Sequence, residues 1–327
     1  QQSFTRENLL NDGQFSSLGQ NTEDSRSDGH RVNVDLEHNM GELQRLNLRA
    51  SLAYNNSQTL RTQQLTNLSG NDALINSSDQ RDAYEPERWR GSTDLQYLLK
   101  FKKPGRLFSV SLNWEQLGDD ANQRINNRNQ YWDLENMALL NDSLLQRQQR
   151  IDDQQYWQGR LSYTEPLSEL WYWRNNIAVA SETQERAKDF LDITGSKEIL
   201  NTTLSGRFDR DFQRFSAETG LLRNKNESRL GLALGVEAAT LSSRAGQGST
   251  PLESNYLYLL PRLDWELELS GSKNLDIRYN TNVMAPALDQ LQTLVDNTNA
   301  LNIYQGNPNL VPEYRHNFTA GLTIIDA

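Results

Sequence analysis

From Leu257 to Leu269 the odd positions are Leu257, Leu259, Pro261, Leu263, Trp265, Leu267 and Leu269, and the even positions from Arg262 onward are Arg262, Asp264, Glu266 and Glu268. A period of two sends successive side chains to opposite faces of a strand, so one face is apolar and the other charged. A tight Ser270-Gly271-Ser272-Lys273 turn follows, after which Leu275, Ile277 and Tyr279 alternate with Asp276, Arg278 and Asn280. The pattern predicts an antiparallel hairpin whose two faces meet two different media.

The whole chain has to be reconciled with that hairpin. Of its 327 residues only 36% are hydrophobic, and the mean hydropathy is −0.78. Disorder, large polar loops on a small core, and a barrel with water inside would each lower the apolar content this far. Strict phasing of apolar residues in many segments, with seven Trp and twelve Tyr, argues against disorder. No run reaches the ~18 consecutive apolar residues of a spanning helix, whereas a spanning strand needs only ~9–11 residues with every second one apolar. Cysteine is absent, which removes disulfides and thiolate metal sites and fits an oxidising envelope compartment. A formal charge of −10 argues against a nucleic-acid partner.

Alternation predicts a meander of about eleven strands. Val32, Val34 and Leu36 face Leu46, Leu48, Ala50 and Leu52 across a turn at Asn39–Glu42. Leu95, Tyr97, Leu99 and Phe101 face Phe108, Val110, Leu112 and Trp114 across Lys103-Pro104-Gly105, where Pro fixes φ and Gly permits its positive value. Trp157, Gly159, Leu161 and Tyr163 precede Trp171, Trp173, Ile177 and Val179. Phe215, Ala217, Thr219 and Leu221 precede Leu230, Leu232, Leu234, Val236 and Ala238. Between these pairs lie long polar stretches, Asn55 to Arg90, Leu117 to Gln154, Glu182 to Leu200 and Asn282 to Arg315, which are expected as loops. Asp133 to Arg147 suggests a short helix. Residues 1–28 are expected as a polar lead-in or loop and 29–327 as a partial barrel. Gln1 to Asn11 lacks a signal-peptide pattern and the end falls in mid-strand, so the chain is expected to be a piece of a longer protein. Short turns on one rim and long connections on the other are the habit of membrane-spanning barrels, as are aromatics at strand ends such as Trp114, Tyr163, Trp171 and Trp173.

Two further segments carry a resemblance. Met284-Ala285-Pro286-Ala287-Leu288-Asp289-Gln290-Leu291 and Gly306-Asn307-Pro308-Asn309-Leu310-Val311-Pro312-Glu313, preceded by Leu234-Gly235-Val236-Glu237 and Leu260-Pro261, resemble the C-terminal part of the outer membrane β-barrel family that includes TonB-dependent receptors. The usual family pattern has Arg before Pro286 and Lys at position 311, where this chain has Ala285 and Val311. The resemblance implies an all-β, antiparallel up-and-down sheet. It would be part of a barrel of about 22 strands in the Gram-negative outer membrane, with short periplasmic turns and long extracellular loops. It further implies uptake of a nutrient such as a siderophore, oligosaccharide or peptide. The alternative is a structural or assembly barrel that binds partner proteins or glycans. Implied partners are outer membrane lipid, a plug domain and the TonB system acting through a region not recognisable here, and a surface lipoprotein or other outer membrane protein.

Chemistry-bearing residues are sparse. His30, His38 and His316 lack ligand spacing, Asp119/Asp120 and Asp152/Asp153 read as solvated loop pairs, and no nucleophile elbow occurs. No catalytic residue, metal or cofactor is expected. Asp264, Glu266, Glu268, Asp276 and Arg278 are expected to line a water-filled interior. In Gly306–Glu313, Pro308 and Pro312 restrict φ while Asn307 and Asn309 suit turn hydrogen bonds.

Overall fold

The computed structural model describes residues 2–10, 13–133, 138–246, 251–291 and 306–325. Among them, thirteen strands form one antiparallel sheet. In chain order they are β1 (Gln2–Leu10), β2 (Gly13–Asn39), β3 (Gln44–Ser69), β4 (Leu74–Lys100), β5 (Leu107–Asp133), β6 (Ala138–Pro166), β7 (Trp171–Thr194), β8 (Lys197–Leu200), β9 (Gly206–Lys225), β10 (Ser228–Ala245), β11 (Leu252–Ser270), β12 (Lys273–Met284) and β13 (Glu313–Ile324). Each pairs with its sequence neighbours, except that β8 folds back on β7 and β7 pairs onward with β9. A single helical turn, α1 (Leu288–Leu291), follows β12, and no helix among these residues is long and apolar enough to cross a membrane.

Register converts the alternation of each strand into a continuous two-faced surface. Leu36 faces Leu48, Leu48 faces Leu95, and Leu95 faces Leu112. Further along, Leu161 faces Ile177, Ala217 faces Val236, and Val236 faces Leu259. Every one of these residues lies on the same side, and Leu257 and Phe318 remain 73% and 69% exposed. Large side chains held in register yet left uncovered form an apolar belt that needs a nonaqueous neighbour. His30 and His38 bracket the belt on β2. Polar groups that stray into it bond to one another, as where Trp173 Nε1 donates to Thr219 Oγ1 at 2.8 Å and Thr219 Oγ1 to Asn175 Oδ1 at 2.9 Å.

The expected short turns form one rim. At Lys103–Arg106 the Arg106 N–H donates to Lys103 O at 3.1 Å, and Gly105 has φ 81°. Beside it, the Glu165 carboxylate accepts from Lys103 Nζ and Arg106 Nε, both at 2.7 Å, tying this turn to the next one.

At the other rim the structure corrects the sequence reading. Asn55 to Arg90, Leu117 to Gln154 and Glu182 to Leu200, expected as long loops, are mainly strand: β6 alone runs for 29 residues, where a crossing takes ~10, whereas the described residues between β12 and β13 form a connection, as expected. Residues expected as a polar lead-in form β1 and most of the outer part of β2. The expected helix at Asp133–Arg147 is contradicted from Ala138 onward, where β6 pairs with β5 on one edge and, from Gln146, with β7 on the other. Its residues 134–137 lie outside the described residues. Ladder partners on both edges override local helix preference there. These extensions are mainly polar on both faces, with exposed exceptions such as Leu60, Leu139 and Leu144, and hold by backbone pairing with side-chain ladders, such as Asn67 Nδ2 to Asn76 Oδ1 at 2.6 Å and Gln130 Nε2 to Asn141 Oδ1 at 2.9 Å. Arg147 pins β8 through Glu198, with Nη2 at 2.6 Å from Oε2, which holds the Glu198 carboxyl below its ordinary value of 4.5.

Two outcomes follow. Leu112→Arg places a cation in the belt and is expected to cost ~2–4 kcal/mol of unfolding free energy in lipid vesicles, whereas Asn113→Arg, on the opposite face, costs under ~1. Urea titration of the two proteins measures the difference. Because the folded pKa of Glu198 lies below its unfolded value, its contribution is present above pH 4.5 and fades as pH falls through the folded pKa. Amide protection over Lys197–Leu200, taken relative to the intrinsic exchange rate at each pH, is expected to fall on acidification in the native chain and not in Glu198→Gln.

Candidate functional site

Opposite the belt, the sheet presents a charged face, and the chain after β12 turns onto it. Val283, at the end of β12, is buried with Phe212, Ala239 and Leu241, and Tyr256, Tyr258, Leu260 and Ala285 pack against this cluster. Met284 to Leu291 continues as a strap across the charged face of β7 and β9. Its apolar anchors, Leu288 and Leu291, are 2% and 3% exposed.

Two arginines hold the strap. Arg210 on β9 donates from Nη1 to the Pro286 carbonyl at 2.7 Å and pairs with Glu182 through Nη2. Arg186 on β7 donates from Nε to Asp152 Oδ2 at 2.7 Å and also pairs with Asp289 of the strap. Gln184 Nε2 adds a bond to Asp152 Oδ1 at 3.0 Å. With Arg186 and Asp152 side chains only 10% and 8% exposed, removing one partner would strand a buried charge. Asp152 is therefore not the solvated loop residue the sequence suggested: β6 continues through it and turns it to the charged face.

The Gly306–Glu313 segment meets the strap. Asn307 N–H donates to Gln290 O at 2.6 Å, and Asn307 Oδ1 accepts from Asn309 N–H at 3.0 Å, closing the turn before β13. Pro312 is buried and Leu310 is exposed. The two segments that carry the resemblance are thus joined in space.

Asp264, Glu266, Asp276 and Arg278 lie together nearer the short-turn rim, on the charged face. Register sets Asp264 opposite Arg278 and Glu266 opposite Asp276. Arg278 lies 2.8 Å from Asp276 and 3.7 Å from Glu266, and Arg262 lies 2.6 Å from Asp264. Glu268 faces Asn274 one row beyond. Sequence reasoning missed Arg186, Arg210, Glu182 and Asp289. The signal was present for three of them, because Glu182, Arg186 and Arg210 share strand parity with residues opposite the belt.

A profile of the outer membrane protein beta-barrel family matches residues 99–326. No curated protein matches the chain. Among solved structures it is similar to BauA, the ferric preacinetobactin receptor of Acinetobacter baumannii, at 11% identity and TM-score 0.47, covering 95% of this chain and 52% of that one. It is also similar to the ferric-catecholate import receptor Fiu of E. coli K12, at 7% identity and TM-score 0.43, covering 86% and 52%. The chain spans about half the length of these structures.

Arg186→Gln is expected to release the strap, raising amide exchange at Ala287–Leu291 about tenfold or more, equivalent to ~1.4 kcal/mol of local protection. Exchange over Leu230–Val236, remote from the strap, should be unchanged.

Proposed function

The chain belongs to the outer membrane protein beta-barrel family, and from that premise we propose that it forms the C-terminal part of a gated import receptor of the TonB-dependent kind. The belt is the lipid-facing surface and the charged face lines the lumen; the long-hairpin rim is extracellular and the short-turn rim periplasmic. The observation that carries the proposal is the strap, a segment anchored by Arg186 and Arg210 across the charged face; in a closed barrel such a segment would narrow the route a solute takes. A barrel that only supported the envelope would have no use for a narrowed interior.

Nutrient capture takes place at the extracellular hairpins, and passage follows rearrangement of a plug domain contributed by the rest of the gene product, with no covalent step. Siderophores, oligosaccharides and peptides all suit a lumen lined by paired charges. A second reading, a barrel that binds partner proteins or glycans at the cell surface, draws on the strand extensions, which offer polar side chains on both faces.

Conductance of the full-length gene product in planar bilayers tests the proposal. Expected is a barrel silent as isolated, which opens a stable step when urea unfolds an interior domain. Steady conductance without denaturant would replace gated import by passive diffusion. Silence at every urea concentration that leaves the barrel folded would favour the second reading.

A further inference from the structure

From their short turn, β11 and β12 share a ladder only as far as the Leu263–Tyr279 pair, although both strands run on. β11 continues on β10 to Leu252, and β12 continues on β13 to Met284. The sheet therefore parts within the belt, on the long-hairpin side. Pro261, Leu259 and Leu257 stand opposite Leu234, Val236 and Ala238 on one edge and, among the described residues, have no strand partner on the other. Leu259 is accordingly 60% exposed, against 40% for Val236 beside it.

Pro261 sets the break, because it has no N–H to give to a ladder. Side chains take the two carbonyls next to it: Thr281 Oγ1 donates to Pro261 O at 3.1 Å, and Tyr314 Oη donates to Leu259 O at 2.5 Å. Of the polar groups that Leu259 and Pro261 turn to the break, that leaves the Leu259 N–H. An incoming polypeptide strand would find little to pair with here, whereas an apolar occupant leaves little unsatisfied.

Past the break, the face that β12 and β13 show to the belt passes to the inside of the sheet. Tyr279 and Phe318, opposite each other, lie on the belt. Val283 and Tyr314, two side-chain rows further along the same face, are opposite each other as well, yet Val283 is buried against Phe212, Ala239 and Leu241. Aromatic rings mark the route. Tyr279 stacks with His316 at 6.1 Å, His316 meets Tyr314 edge-on at 4.7 Å, and Tyr314 stacks at 5.7 Å with Tyr258, which packs on that buried cluster. On the belt side the break opens into a hollow of about 600 Å³ whose apolar lining includes Leu221, Leu232, Leu234, Pro261, Leu263 and Tyr279. Apolar surface is thus continuous from the belt, through the parted wall, to the cluster around Val283.

We propose that the break seats the acyl chain of a lipid of the surrounding bilayer, entering at the hollow beside Pro261 and ending against Tyr258 and Tyr314. The proposal rests on the belt being the lipid-facing surface. Continuity with the belt selects this occupant: a bilayer chain reaches the mouth of the break without leaving lipid, and the occupied carbonyls disfavour a strand.

The full-length gene product in phosphatidylcholine nanodiscs, with a fraction of the lipid carrying a diazirine at its acyl terminus, tests this. After irradiation, mass spectrometry is expected to find label on Tyr258, on the charged side of β11, as well as on Leu257 and Phe318 of the belt. Leu259→Trp, which fills the mouth, is expected to lower Tyr258 labelling about tenfold or more and to leave Phe318 labelling unchanged. Label confined to belt residues in the native chain, or Tyr258 labelling that Leu259→Trp does not alter, overturns the proposal and leaves the barrel reading intact. Slow amide exchange at Leu257 and Leu259 with no label on Tyr258, the mark of a polypeptide strand on this edge, overturns it too. Absence of label from Leu232, Leu257 and Phe318 alike would overturn the lipid-facing reading, and the proposal with it.

Discussion

Lateral register is the constraint from which the rest of this structure follows. Because the side-chain period is two, a slip of one residue between any two strands would carry a whole apolar column onto the charged face. Leu48, Leu95 and Leu112 fall in one row, as do Ala217, Val236 and Leu259. Thus apolar surface on one side and paired charges on the other are two expressions of a single arrangement. Among the described residues, the buried hydrophobic cluster gathers not behind the belt but where the strap and the end of β12 turn over the polar face.

The short-turn rim supports that register. Lys103, Arg106 and Glu165 connect two turns that are distant in sequence, and Tyr163 donates to the same carboxylate at 2.5 Å. At the opposite rim the same task falls to uncharged ladders and scattered ion pairs. Arg88 and Arg150, from β4 and β6, both contact Asp119 of β5, at 3.2 and 2.8 Å, fixing three strands through one carboxylate.

What could be read from the sequence tracks the presence of a contrast between faces. The Leu257–Leu269 strand, the Pro104-Gly105 turn and the paired columns of the belt were legible because apolar and polar residues alternate there. Asn55 to Arg90 was not, because a strand polar on both faces has no period to detect and is specified by its partners. The same blindness turned Asp133–Arg147 into an expected helix and Asp152 into an expected loop residue. Arg174 is a different case. Its orientation follows from Trp173 and Asn175 on either side, but its neighbours Gly220, Ala233 and Arg262 are brought beside it only by the register.

β3 to β6 run without interruption from the short-turn rim to the outer tips, and this gives the sheet a mechanical character. Slack loops would absorb a tug at the tips as entropy. Continuous ladders instead pass it down the backbone as tension, and shear between neighbouring strands resists it one hydrogen-bonded rung after another. A large body landing on the outermost hairpins would thus be sensed as strain at the level of the lipid, many residues from where it touched.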